Sequence, residues 1–321
     1  MMKRRNGYLC PCKMTVLNDI HQLPSSFRPF VTIGTFDGVH RGHKQVIQRL
    51  VERAQEQGVA SMLITFDPHP REALGLGKIA LLTDLEEKIA LLEETRLDYL
   101  LVIPFTQAFS QLTAKEFIDQ YLVKRLNISG IILGYDHKFG NRREGNIALL
   151  RHELEPLGIA VEEISAQAVD EIIISSTKIR HALSSGNPFE AMRLLGYPYS
   201  FEGVVVHGAK NGRLIGFPTA NLAPKSASKV IPGTGVYAVQ CTLDDQPFLG
   251  MMNHGSRPTV DGIKEVLEVH FLDFNSDIYG RTVRVQLYDR IRDEQKFNGL
   301  NELKEQLVKD EAYVRRRFMG S

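Results

Sequence analysis

Two histidines three residues apart, His40 and His43, stand in the stretch Gly34-Thr35-Phe36-Asp37-Gly38-Val39-His40-Arg41-Gly42-His43. Imidazoles at this spacing in a glycine-bearing turn can point at one anion. The stretch follows an apolar, strand-like run, Phe30-Val31-Thr32-Ile33. It precedes a helical pattern with apolar residues at Val46, Ile47, Leu50, Val51 and Ala54. A strand that turns through glycines into a helix is a natural phosphate site, because the first helical N–H groups are unpaired and the helix's positive end faces the turn. Gly34, Phe36, Asp37 and Gly38 are therefore nucleotide-side candidates beside the two histidines. Neither common phosphate fingerprint is present: there is no G-x-G-x-x-G in this turn and no G-x-x-x-x-G-K-[ST] in the chain.

Three further segments carry polar chemistry at the ends of expected strands. Thr65-Phe66-Asp67-Pro68-His69-Pro70 offers Asp67, and Gly134-Tyr135-Asp136-His137-Lys138-Phe139-Gly140 offers Asp136. Ile174-Ser175-Ser176-Thr177-Lys178-Ile179-Arg180 begins a helix. Ser175 or Ser176 can cap it, its free N–H groups can hold a phosphate, and Arg180 one turn in can pair with the same anion. Taken singly, each segment reads first as a turn or a cap. The functional case is their joint placement at one edge of one sheet.

The second half carries a different set. Gly203-Val204-Val205-Val206-His207-Gly208 is followed by Gly212-Arg213-Leu214-Ile215-Gly216-Phe217-Pro218-Thr219-Ala220-Asn221. Gly208, Lys210 and Gly216 are nucleotide-side candidates, the glycines because they let backbone approach a ligand closely. Thr219 and Asn221 offer hard oxygen ligands that suit Mg²⁺ between phosphates and do not exclude Mn²⁺. In Leu267-Glu268-Val269-His270-Phe271, alternation puts Glu268 and His270 on one face. A carboxylate there, close to a metal–phosphate site, can deprotonate a hydroxyl. Asn253 and Arg257, in Asn253-His254-Gly255-Ser256-Arg257, and Arg290 and Arg292 are weaker candidates for the same site.

The elements that must position these residues differ between the halves. Strand-like runs at residues 59–66, 98–103, 130–133 and 159–164 alternate with helical patterns, two of them opened by capping boxes at Asp84-Leu85-Glu86-Glu87 and Thr113-Ala114-Lys115-Glu116. Alternation of this kind predicts a parallel sheet covered on both faces, with ligands beyond the carboxyl ends of the strands. The pattern changes near Gly186-Asn187-Pro188. Short strand-like runs then follow at 201–206, 235–243, 250–253, 266–271 and 282–287, predicting a closed antiparallel barrel, and a polar helical pattern over 301–318 ends the chain.

Composition narrows the classes. At 321 residues the chain has room for two domains, and 39 Lys and Arg nearly balance 38 Asp and Glu, so no bulk field draws nucleic acid or membrane. No apolar run is long enough to span a bilayer, and no apolar signal region follows the basic start. Three cysteines, Cys10, Cys12 and Cys241, point to a reducing compartment, so a cytoplasmic protein is expected. Cys10-Pro11-Cys12 lies in an extension read as an unstructured tail or an alternative start rather than a metal site. No residue pattern favours a particular oligomeric state.

The pair His40 and His43 resembles the H-x-G-H signature of the nucleotidylyltransferase superfamily. The ordered series GTFDGVHRGH, TFDPHP, GYDHKFG and ISSTKIR resembles the adenylyltransferase module of bacterial bifunctional riboflavin kinase/FAD synthetases. The series GRLIGFPTAN, PGTGVYAV, NHGSRPTV and LEVHF resembles the riboflavin kinase module of the same family. The resemblance implies an α/β nucleotidylyltransferase domain (Rossmann-like, parallel sheet) over residues 14–186. An antiparallel β-barrel kinase domain with a C-terminal helix would follow over 187–321. It implies that riboflavin and ATP give FMN and ADP, and that FMN and ATP give FAD and pyrophosphate. His40 and His43 would stabilise charge on the phosphates, which Ser176, Thr177 and Arg180 would hold. Asp67 and Asp136 would lie near nucleotide and flavin. Thr219 and Asn221 would hold metal and phosphate, and Glu268 would be the base. Family members vary at the positions of Asp67 and Asp136, so neither has a fixed role. Two alternatives stand beside this reading: a protein with one live activity, and a flavin-binding regulator without turnover.

Overall fold

The computed structural model describes residues 2–5, 8–11, 13–24, 26–75, 77, 79–134, 137–164, 174–208, 211–259 and 262–319. The chain divides into two compact units, Met1–Ser175 and Ser176–Ser321.

The first unit opens with an antiparallel ribbon, β1 (Met2–Arg5) and β2 (Tyr8–Pro11), in which Arg5 stands opposite Tyr8. This corrects the expected unstructured tail. The signal was in the sequence, since Asn6-Gly7 between the two runs is the commonest hairpin dipeptide. Six parallel strands follow: β3 (Thr15–Leu17), β4 (Phe30–Ile33), β5 (Ser61–Asp67), β6 (Tyr99–Pro104), β7 (Gly130–Gly134) and β8 (Ala160–Ile164). Their order is β3-β6-β5-β4-β7-β8. The edge strand β3 escaped the sequence reading because three residues carry no readable period.

The helices between the strands are α1 (Arg41–Gln57), α2 (Pro70–Ala73), α3 (Leu85–Glu93), α4 (Gln107–Ser110), α5 (Ala114–Phe117) and α6 (Ile147–Leu154), with α5 continuing as a π-helical stretch, Ile118–Arg125. On one face of the sheet Val31, Ile33, Met62 and Ile64 meet Phe117, Ile118 and Leu122. On the other, Phe30, Leu63 and Leu100 meet Ile47, Leu50 and Ala54 of α1. Both faces are buried, which is why these strands read as unbroken apolar runs. Both expected capping boxes form. The Glu87 N–H donates to Asp84 at 2.8 Å and Asp84 N–H to Glu87 at 3.0 Å, and Thr113 and Glu116 repeat the exchange before α5.

The second unit begins with α7 (Ser176–Ser184) and α8 (Pro188–Leu195). Its strands are β9 (Ser200–Val206), β10 (Ala220–Pro224), β11 (Gly235–Leu243), β12 (Gln246–Thr259), β13 (Gly262–Phe271) and β14 (Thr282–Arg292). They close into an antiparallel barrel in the order β10-β13-β12-β11-β14-β9. The expected strand at 250–253 was too short, since β12 continues past it in both directions through Gly250 and Gly255. They sit inside β12, where a Cβ on Gly250 would meet the His270 carbonyl at 2.8 Å. The last helix, α9 (Leu300–Met319), lays Leu303, Leu307 and Val314 against Ile215, Phe217, Met251 and Leu272.

Candidate active sites

In the first unit β4 lies between β5 and β7. The chain passes from β4 to β5 on one side and later places β7 on the other, so the strand order reverses at β4, the position beyond whose carboxyl end ligands of such sheets bind. The histidine turn leaves β4 at this point. Phe36, Gly38 and Val39 have φ of 47°, 82° and 33°, so three of its residues are left-handed. Burial of Phe36 and Val39 in the core offsets the strain of two non-glycine residues there.

His40 caps α1, its Nδ1 accepting the His43 N–H at 3.2 Å. An accepting Nδ1 has no proton, which places the neutral ring's proton on Nε2. The two rings stack with centroids 3.5 Å apart. The Nδ1 of His43 is buried and has no hydrogen-bond partner among the described residues. Burial pushes His43 well below the usual histidine range, and the neighbouring His40, Lys88 and His137 act in the same direction. It is thus a neutral donor or acceptor near pH 7.

Asp37 is 2% exposed, and its carboxylate accepts from the N–H groups of Leu82 and Thr83, each at 3.0 Å, and from the Thr83 hydroxyl at 3.3 Å. It brackets the turn to the loop before α3. Gly34 lies against the rings of Phe36 and His137. Asp67 is exposed at the end of β5, beside an edge-on aromatic group in which Phe66, Phe105 and Phe109 have centroids 5.4–5.6 Å apart. A cavity of about 390 Å³ adjoins this group, with Phe109, Tyr121, Arg125 and His21 in its wall. Asp136 lies outside the described residues. Ser176, Thr177 and Arg180 open α7, which belongs to the second unit and packs on α8.

The barrel's register assembles the other site. Glu268 stands opposite Asn221 in the β10–β13 pair and opposite Asn253 in the β12–β13 pair. Directly opposed residues share a face at about 5 Å between Cβ atoms, so Asn221, Glu268 and Asn253 form one row across three strands. Gly208 follows β9 beside Asn221, and a Cβ there would overlap the Asn221 amide. Thr219 sits just before β10. The turn leading to it is held by Phe217 N–H to Gly212 carbonyl at 2.9 Å, by a left-handed Gly216 (φ 86°), and by His270 Nδ1–H to the Pro218 carbonyl at 2.8 Å. Arg290 donates to the Thr234 carbonyl at 2.6 Å and pairs with Asp293. Arg292 pairs with the buried Asp310 of α9 at 2.8 Å. Lys210 and the side chain of Arg257 lie outside the described residues. The backbone of Arg257 is in β12, opposite Lys264.

Sequence reasoning did not single out His137, Lys88 or the aromatic group as site residues. His137 was inside a quoted motif. Lys88 had no local signal, since it reads as one more charge on an amphipathic helix.

Residues 24–178 match the family model described as FAD synthetase, and residues 195–318 match that described as riboflavin kinase. The chain is 41% identical over 309 residues to the bifunctional riboflavin kinase/FMN adenylyltransferase of Escherichia coli (strain K12), covering 95% of this chain and 98% of that protein. It is 39% identical over 295 residues to the protein of the same name from Bacillus subtilis (strain 168), covering 90% and 92%. A solved structure from Streptococcus pneumoniae, titled a macrolide-efflux protein, superposes with a TM-score of 0.83 at 32% identity, covering 94% of this chain and 98% of that one. Among the described residues of this chain, no helix is long and apolar enough to cross a membrane. With both halves matched in order along nearly its whole length, the chain belongs to the bifunctional riboflavin kinase/FMN adenylyltransferase family, two ATP-using transferases on one polypeptide.

Proposed function

We propose that Glu268 is the base of the kinase reaction and that the His40/His43 turn is the seat of adenylyl transfer. The observation that carries the reading is the barrel register, which sets a carboxylate between two amides beside the Thr219 turn. Glu268 takes the proton of the riboflavin 5′-hydroxyl. That oxygen attacks the γ-phosphorus of ATP, and the bond to the bridging oxygen breaks to release ADP. The hydroxyl of Thr219 and the amide oxygen of Asn221 are hard donors, and Gly208 leaves room beside Asn221, so this corner fits Mg²⁺. When bound, the ion neutralises charge on the phosphate oxygens. Gly208, Lys210 and Gly216 serve the nucleotide, and Asn253, Arg257 and Arg290 the flavin.

In the α/β unit a phosphate oxygen of FMN attacks the α-phosphorus of ATP, and the α–β bond breaks to release pyrophosphate. His40 and His43 donate to the phosphates as charge develops, with Gly34, Phe36, Asp37 and Gly38 shaping the turn. No covalent enzyme intermediate is needed, so positioning and electrostatics supply the rate. Ser176, Thr177 and Arg180 hold phosphates. The aromatic group near Asp67 offers a flat apolar surface for the isoalloxazine, and Asp136 is assigned to the flavin as well. The kinase part is taken as residues 187–321 and the transferase part as 14–186. Sparse cysteines, with a buried free thiol at Cys241, support a cytoplasmic enzyme.

A flavin time course with purified protein, riboflavin, ATP and Mg²⁺ tests this. FMN should appear first and FAD follow. Glu268→Ala should stop the first step alone and His43→Ala the second. FMN formation near normal in the Glu268 variant would overturn the base assignment.

A further inference from the structure

Lys88 is a buried cation that the mechanism above does not use. It lies in the first turns of α3 and is 8% exposed. Its Nζ donates to the Thr65 hydroxyl at 3.5 Å, and that hydroxyl donates to the Thr35 carbonyl in the histidine turn at 3.2 Å. A second tie runs parallel: Asp37 holds the N–H groups of Leu82 and Thr83, and Gly38 N–H donates to Thr83 at 3.0 Å. The start of α3 is thus fastened twice to the turn that carries His40 and His43.

A lysine is an expensive way to fill this space. An ammonium has three donors, and the hydrogen bond this one makes is at the long limit. Burial pushes Lys88 down, while the carboxylates of Asp37, Asp67 and Asp84 pull it back up. The Lys88 charge is also felt at His43, together with those of His40 and His137. A methionine would pack as well without the desolvation penalty. What a methionine lacks is the charge, and a charge fixed at low dielectric beside a polyanion site acts strongly without reorganising.

We propose that Lys88 is a positioning residue for adenylyl transfer: a buried positive charge, tied to the histidine turn through Thr65, that draws the ATP phosphates onto His40 and His43. The proposal rests on the assignment of that turn to adenylyl transfer, and the test separates the two. Full-length Lys88→Met, Lys88→Arg and His43→Ala are assayed for FAD formation from FMN and ATP from about pH 5 to pH 9. FMN formation from riboflavin is followed in the same samples, with a thermal melt of each. Lys88→Met should lose at least about tenfold in kcat/KM for ATP, with kinase activity intact. The limb of its pH profile set by His43 should move to higher pH, because a neighbouring positive charge is gone. Lys88→Arg should keep most of the rate. A Lys88→Met rate within about twofold of wild type and an unmoved profile, with His43→Ala inactive, would leave Lys88 a packing residue. FAD formation surviving in His43→Ala would instead remove the underlying assignment. Should Lys88→Met not fold, Thr65→Val decides: it cuts the tie and should cost FAD formation in the same direction, and an unchanged rate overturns the proposal.

Discussion

Two glycines of the barrel site are small for different reasons, and substitution separates them. At Gly208 an added Cβ meets the end of the Asn221 side chain, which can swing aside. Gly208→Ala should therefore fold with a melting temperature near wild type but displace the Asn221 amide, the metal ligand proposed above. Its kinase KM for ATP should rise at least about tenfold, with FAD formation from FMN unchanged. At Gly212 the Cβ meets the Phe217 carbonyl, which is backbone. Gly212→Ala should distort the turn and lower kcat and KM performance together. His43 gives a pH prediction with a definite sign. Its folded pKa lies below the unfolded value near 6.5. As pH falls below that value the unfolded chain takes up a proton that the folded one refuses, so this contribution to stability is lost on acidification. Denaturant melts at pH 7.5 and 5.5 should show a flatter pH slope for His43→Gln than for wild type.

Elements hold these residues through register and caps. The row Asn221–Glu268–Asn253 exists because β13 pairs with β10 and β12 in one register; a one-residue slip would turn Glu268 to the opposite face. The end of β14 is held by α9. Asp310, 1% exposed, takes Arg292 Nε at 2.9 Å and Nη2 at 2.8 Å, and Gln306 adds a third donor at 2.8 Å. Asp310→Ala leaves a largely buried guanidinium uncompensated and should cost roughly 3 kcal/mol, read as a lowered denaturation midpoint. At the other site, Asp84→Ala removes the capping box that orients α3 and should cost about 1 kcal/mol. Part of that loss should appear in FAD formation, since α3 is fastened to the histidine turn.

The chain forms two compact units, each with its own core, and FMN is the product of one activity and the substrate of the other. Whether the two activities can be separated is measurable in the whole protein. His43→Ala should make FMN and stop, and Glu268→Ala should make FAD only when FMN is supplied. Mixing the two variants with riboflavin and ATP should restore FAD, at a rate that grows with the concentration of both, because FMN then crosses through solution. Failure of the mixture to make FAD, with each half-reaction intact, would show that FMN does not leave the chain on which it is made.

Much of this protein was legible without coordinates. The histidine turn, the capping boxes, the Thr219 and Asn221 segment and the alternation of Glu268 and His270 are short-range patterns. Short-range patterns are set by local backbone chemistry, which a linear reading can follow. The change from alternating strands and helices to short strands also announced two kinds of sheet. Tertiary structure decided what depends on pairing between distant segments. It placed β4 between β5 and β7, so that the turn leaves the sheet where the strand order reverses, and it aligned Asn221, Glu268 and Asn253. It also spent the Asp37 carboxylate on the loop before α3 and brought Lys88 and His137 to the histidines. No periodicity carries that information, because strand order and register are chosen by burial of whole faces rather than by any residue's own preference.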